Sequence, residues 1–65
     1  MDDVEVLDSE QVAVMLGVER VTVQRLAKAG KLPAARVGKK WVFFRHVLEE
    51  WLEKRMRENV RKKRG

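Results

Sequence analysis

The sequence contains no cysteine and a single histidine, His46. Without thiols there is no disulfide and no thiolate metal site, and one imidazole does not make a multi-histidine zinc centre. No apolar run approaches the ~20 residues that span a bilayer. The opening MDDVEVLD is acidic and lacks an apolar core segment, so it does not read as a secretory signal. No nucleophile stands at a suggestive spacing from a base, and no glycine-rich phosphate loop is present. These absences lead to the expectation of a non-enzyme with no catalytic residues, no metal and no cofactor, at work in a reducing cytoplasm.

The 65 residues suffice for one small domain. A chain of this size buries only about 60% of its unfolded surface, so each large apolar side chain carries weight. The formal net charge is +5, and it is unevenly spread. Residues 1–10 carry −5, residues 11–44 carry +6, residues 45–52 carry −1 and residues 53–65 carry +5. Cations in the middle and at the end make a polyanion the natural partner, a nucleic acid before an anionic membrane. An acidic protein is the alternative partner for the same surface.

The local signals predict a mainly α chain with one small hairpin. Asp8, with Gln11 three residues on, forms a capping-box pattern, and Leu7 can staple onto Val12. A first helix is therefore expected from Ser9, with Val12, Ala13 and Leu16 facing inward. Gly17 ends it, and Val18 is expected to plug the corner. A second helix should run from Arg20 to Ala29, burying Val23, Leu26 and Ala27, with Gly30 at its end. Pro33 forbids further helix. Next, ARVGKKWVF alternates around Gly38-Lys39, which suits a tight turn. Val37, Trp41 and Phe43 are expected on one face, and Arg36, Lys40 and Val42 on the other. From Arg45 a stripe of Leu48, Trp51, Leu52, Met56 and Val60 predicts a long helix, with RKKRG as a solvated, frayed end.

Two helices hinged at a glycine, with a small residue (Ala13) at their crossing, form a helix-turn-helix pattern. The free side of the second helix would then carry Arg20, Val21, Thr22, Gln24, Arg25 and Lys28. Such a helix fits the major groove of B-DNA, where Arg pairs with guanine, Gln with adenine and a methyl with thymine. The hairpin would act as a wing, with Arg36, Lys39 and Lys40 placed for phosphates. Trp41 and Phe43 are expected to brace the wing from within rather than stack on bases. His46 reads as a surface residue.

The segments VAVMLGV, TVQRLAKAGKLPAARVGKKWVF and RHVLEEWL, from Leu7 to Leu52, resemble the small winged helix-turn-helix of the excisionase family, related to the MerR-type DNA-binding domain. GKLPA, RVG, KW and the closing LEEWL carry the likeness. The sequence departs from the family pattern at Glu19, where Ser or Thr is common, at Val21, where a polar residue is usual, and at Val47, where an acid is common. The resemblance implies double-stranded DNA as partner, with Arg20, Val21, Gln24 and Arg25 in the groove and Arg36, Lys39 and Lys40 on the wing. It also implies a role as an architectural factor beside an integrase or recombinase, with weak self-association or a cooperative array on DNA, in the nucleoid. A small transcriptional regulator using the same docking, or an interaction module with an acidic partner, are the alternatives. The expected layout is an acidic tail over 1–6, the DNA-binding domain over 7–52, and a basic helical extension and tail over 53–65. In that extension Met56 and Val60 would form either a dimer seam or a solvated helix end, and Arg57, Arg61, Lys62, Lys63 and Arg64 would add nonspecific phosphate contacts.

Overall fold

The computed structural model describes residues 4–63. Its elements are β1 (Val6–Leu7), α1 (Ser9–Leu16), α2 (Arg20–Lys28), β2 (Ala35–Val37), β3 (Lys40–Phe44) and α3 (Arg45–Lys63). The order helix, turn, helix, hairpin, helix is a winged helix-turn-helix.

The first helix starts at the expected cap. Asp8 accepts from the Gln11 backbone N–H at 2.8 Å, and the Asp8 N–H donates to Gln11 Oε1 at 2.9 Å. These bonds satisfy two groups that a helix start would otherwise leave orphaned. Leu7 and Val12 flank the cap and are both buried in the core. At the other end Gly17 takes φ 72°, a left-handed conformation that a Cβ disfavours, and the next N–H, from Val18, reaches back to the Ala13 carbonyl at 3.0 Å. The backbone thus makes the corner, and the Val18 side chain does not plug it but stays 40% exposed. Ala13 is buried where the two helices pack.

The second helix begins at Glu19, which offers no side-chain cap; only its carbonyl accepts, from Thr22 and Val23. It ends when the Lys31 N–H donates to the Leu26 carbonyl at 2.9 Å across Gly30. Val23 and Ala27 are buried, and Leu26 is half-buried.

The sheet has the order β1-β3-β2, with both pairings antiparallel. The third strand of this sheet, β1, pairs Val6 with Phe44 and Leu7 with Phe43, so the chain is already in the sheet at Val6, inside the expected acidic tail. Met1–Asp3 of that tail lie outside the described residues. In the hairpin, Gly38 has φ 64° and Lys39 a negative φ, the sign pattern of a type II′ turn. A two-residue turn sets Val37 opposite Lys40 and Arg36 opposite Trp41. Directly opposed side chains share a face. Arg36 therefore joins Trp41 and Phe43 on the inner face, and Val37 joins Lys40 and Val42 on the outer one, the reverse of the faces expected for Arg36 and Val37. Counting alternation straight through the sequence placed them on the wrong sides, because the turn changes the parity. The outer face is apolar: Ala35, Val37, Val42 and Phe44 line a groove of about 310 Å³ with Pro33, Ala34 and Val47.

One cluster forms the core: Leu7, Val12, Ala13, Val23, Ala27, Leu32, Phe43 and Leu48, with Leu16, Leu26, Ala34, Trp41 and Trp51 packed against it. Leu32, directly before Pro33, is a core residue that the periodicity did not single out. Beyond Leu52 the last helix leaves the core, and Met56 and Val60 are 62% and 65% exposed. It runs on through Lys63, three residues into the expected frayed end, while Arg64 and Gly65 lie outside the described residues. Arg45 ties its start to the first strand. The Arg45 N–H donates to the Glu5 carbonyl at 2.9 Å, and its guanidinium pairs with Glu5 at 2.9 Å and Glu49 at 3.1 Å. The hydrogen bond from Arg45 to Glu5, then that to Glu49, raises the guanidinium pKa further above its ordinary value, so Arg45 brings a full positive charge to this tie.

Two expectations follow for stability. Leu48 has no exposed surface, so Leu48→Ala should cost about 2–5 kcal/mol in urea denaturation. Domains of this size hold on the order of 3–10 kcal/mol in all, so the loss takes a large share of the total and should lower the denaturation midpoint strongly. At Gly17 a Cβ would meet no neighbouring atom, so only the backbone conformation is at stake. Gly17→Ala should therefore cost about 1–2 kcal/mol, visible as a lower midpoint with an unchanged m-value.

Candidate nucleic-acid interface

Sequence geometry decides which side of α2 is free. At 100° per residue, burying Val23 and Ala27 turns Val21, Arg25 and Lys28 outward and sets Gln24 on the flank, while Arg20 shares the angular sector of Val23 and is exposed at the start of the helix. Thr22 falls on the opposite flank and is half-buried, so the structure does not bring it to the face where the sequence pattern placed it.

The wing faces this helix. Two adjoining hollows lie between them. One, of about 440 Å³, is lined by Val21, Gln24, Arg25, Lys28, Arg36, Lys39 and Trp41. The other, of about 210 Å³, is lined by Asp8, Ser9, Glu10, Arg20, Gln24, Lys39, Lys40 and Trp41. Gln24, Lys39 and Trp41 belong to both, so the two form one cleft. Eight of the nine expected interface residues meet there: Arg20, Val21, Gln24, Arg25, Lys28, Arg36, Lys39 and Lys40. Six of the eight are cations, and Gln24 adds an amide that can donate and accept.

Trp41 and the start of α1 also line the cleft, and neither was expected as part of the interface. Trp41 lies at the base of the wing, with the Arg36 guanidinium 5.1 Å from its ring centroid. Arg36 Nε also donates to the Gly38 carbonyl at 3.3 Å. One side chain therefore spans the wing from its tryptophan to its turn, and a cation on an exposed aromatic face contributes about 0.5–1 kcal/mol. Cross-strand pairing across a two-residue turn is the signal that would have put Arg36 over Trp41 in advance. Asp8 and Glu10 enter because the first helix starts beside the second hollow, something sequence spacing does not encode. Glu19 lines neither hollow.

The ion pairs among the described residues fall on Arg45 and Arg57, outside the cleft. His46 is exposed and stacks on Phe44 at 6.0 Å, also outside it. Among the described residues no group of three or more His, Asp or Glu side chains is arranged to hold a metal ion, and no helix is long and apolar enough to cross a membrane.

A glycine-hinged helix pair with a cationic second helix, facing a lysine-tipped wing, defines a small winged helix-turn-helix of the DNA-binding class. A family model described as a helix-turn-helix domain matches residues 6–56, and the chain belongs to that family. Its partner is accordingly DNA, bound through the helix-turn-helix. No curated protein and no solved structure matches the chain.

Lysine on a wing tip suits phosphate, because the ammonium is a point charge without planar recognition geometry. Each phosphate contact releases counterions and adds about 0.9 to the log–log salt slope on duplex DNA. Lys39→Ala and Lys40→Ala should each weaken binding on all sequences alike and lower the slope by about that amount, measured by fluorescence anisotropy over a salt series. An unchanged slope would place the wing tip free in solution.

Proposed function

We propose that the chain binds a preferred duplex sequence through α2 and serves as an excisionase-like architectural factor, bending DNA so that an integrase or recombinase can assemble on it. The cleft carries this reading. Its helix wall presents Arg20, Gln24 and Arg25, groups able to read base edges, while its wing wall presents Lys39 and Lys40, groups suited to phosphates. A duplex held by both walls is gripped at two places on one side. Bending a short site costs on the order of 1–6 kcal/mol, which additional phosphate contacts can offset. The likeness of GKLPA, RVG and KW to the excisionase family favours recombination as the setting.

In this proposal the chain performs no bond chemistry of its own. One such module makes few contacts, so neighbouring copies in tandem, or the recombinase itself, supplement its hold on the site. Its place of work is then the nucleoid, in the cytoplasm.

Two measurements test the proposal. Arg25→Ala should cost about 1–3 kcal/mol of binding and relax the preference at a single base pair, as expected of a bidentate contact to guanine. An equal loss on every sequence would make Arg25 a phosphate contact instead. Fragments carrying the selected site at permuted positions should differ in gel mobility when bound, being slowest with the site at the centre. Mobility that is independent of position would remove the bending role and leave a binding module alone.

A further inference from the structure

Val21 is an apolar side chain on the cationic face of α2, and 58% of its surface is open. The core makes no use of it, because α2 packs through Val23 and Ala27. It lines the same hollow as Gln24, Arg25 and Lys28. It also lies in the first turn of α2, the part of a helix-turn-helix second helix that reaches base edges. Among the polar edges of the major groove it would find only one apolar partner, the methyl group on C5 of thymine.

We infer that Val21 is a specificity-determining residue that packs on the C5 methyl of a pyrimidine, with Arg25 over a guanine one or two base pairs away. The spacing follows from the helix. Arg25 stands four residues on, about 6 Å along the axis at 1.5 Å per residue, against about 3.4 Å per base pair. The inference rests on the proposed reading of base edges by α2. The methyl can come from thymine or from 5-methylcytosine, which carry it at the same place on the ring.

The test starts from a duplex that the protein selects out of random sequence. Thymines of the site are replaced singly by uracil, which removes only the methyl, and cytosines by 5-methylcytosine, which adds it. Binding should weaken about fourfold at one thymine, or strengthen about fourfold at one cytosine, the size expected for burying one methyl group. Either response supports the inference and identifies the source of the methyl. Val21→Ala is exposed and helix-compatible, so its circular dichroism should match the parent's; the ratio of its own affinities for the methylated and demethylated duplexes should fall towards one, whatever its overall affinity. Equal binding of the parent to both members of every pair overturns the inference, as does a Val21→Ala protein that keeps the discrimination. Methyl-blind binding overturns this inference alone. Failure to bind any duplex overturns the proposed function with it.

Discussion

The burial of Phe43 on the central strand is the constraint from which the interface follows. Phe43 is 1% exposed and pairs with Leu7 on the neighbouring strand. Side chains two apart on a strand share a face, so Phe43 also fixes Trp41 on the inner side. The two-residue turn then brings Arg36 across from Trp41 and sends Val37 outward. The wing is thereby oriented as part of the core rather than hung from it. Its cationic tip lies opposite α2 because its base is anchored beside Val12 and Leu48.

The helix pair depends on backbone closure more than on side-chain plugs. Gly17 reverses the chain, and the Val18 amide bonds back to Ala13, so the angle between α1 and α2 is set by hydrogen bonds that need no large side chain. This leaves the side of α2 that carries Gln24, Arg25 and Lys28 free of structural duty, with Arg20 exposed at the start of the helix. Charge is segregated in part, with Asp8 and Glu10 the acids that reach the cleft. The acids Glu5 and Glu49 gather on Arg45, and Glu53 on Arg57, away from the cleft. In the cleft six cations outnumber the two acids, Asp8 and Glu10, and their mutual repulsion is a cost that a bound polyanion would relieve.

Most of the architecture was legible in the sequence because its signals are local. Asp8 with Gln11, Gly17, Pro33 and Gly38-Lys39 each determine a few neighbouring backbone torsions, and the helices and the hairpin follow. The helical period likewise marked the free face of α2 at Val21, Arg25 and Lys28, while Thr22, on the flank away from the wing, is half-buried. What escaped depends on pairing between distant segments. The strand at Val6–Leu7 exists only because Phe43 and Phe44, almost forty residues later, offer it an edge. Leu32 is a lone apolar residue in a loop, with no period to mark it. The two faces of the wing were misassigned at Arg36 and Val37 because parity across a turn depends on which residues oppose each other. The entry of Asp8 and Glu10 into the cleft is tertiary in the same sense.

The central claim is that α2 and the wing tip together form one surface that closes on duplex DNA. Amide chemical shifts followed during titration with a short duplex test it most directly. The account predicts that residues 20–28 and residues 36–40 shift together, with a common saturation point, while Phe43 and Leu48 stay nearly still. Perturbation confined to the basic end of α3, or α2 shifting while Lys39 and Lys40 remain silent, would contradict it.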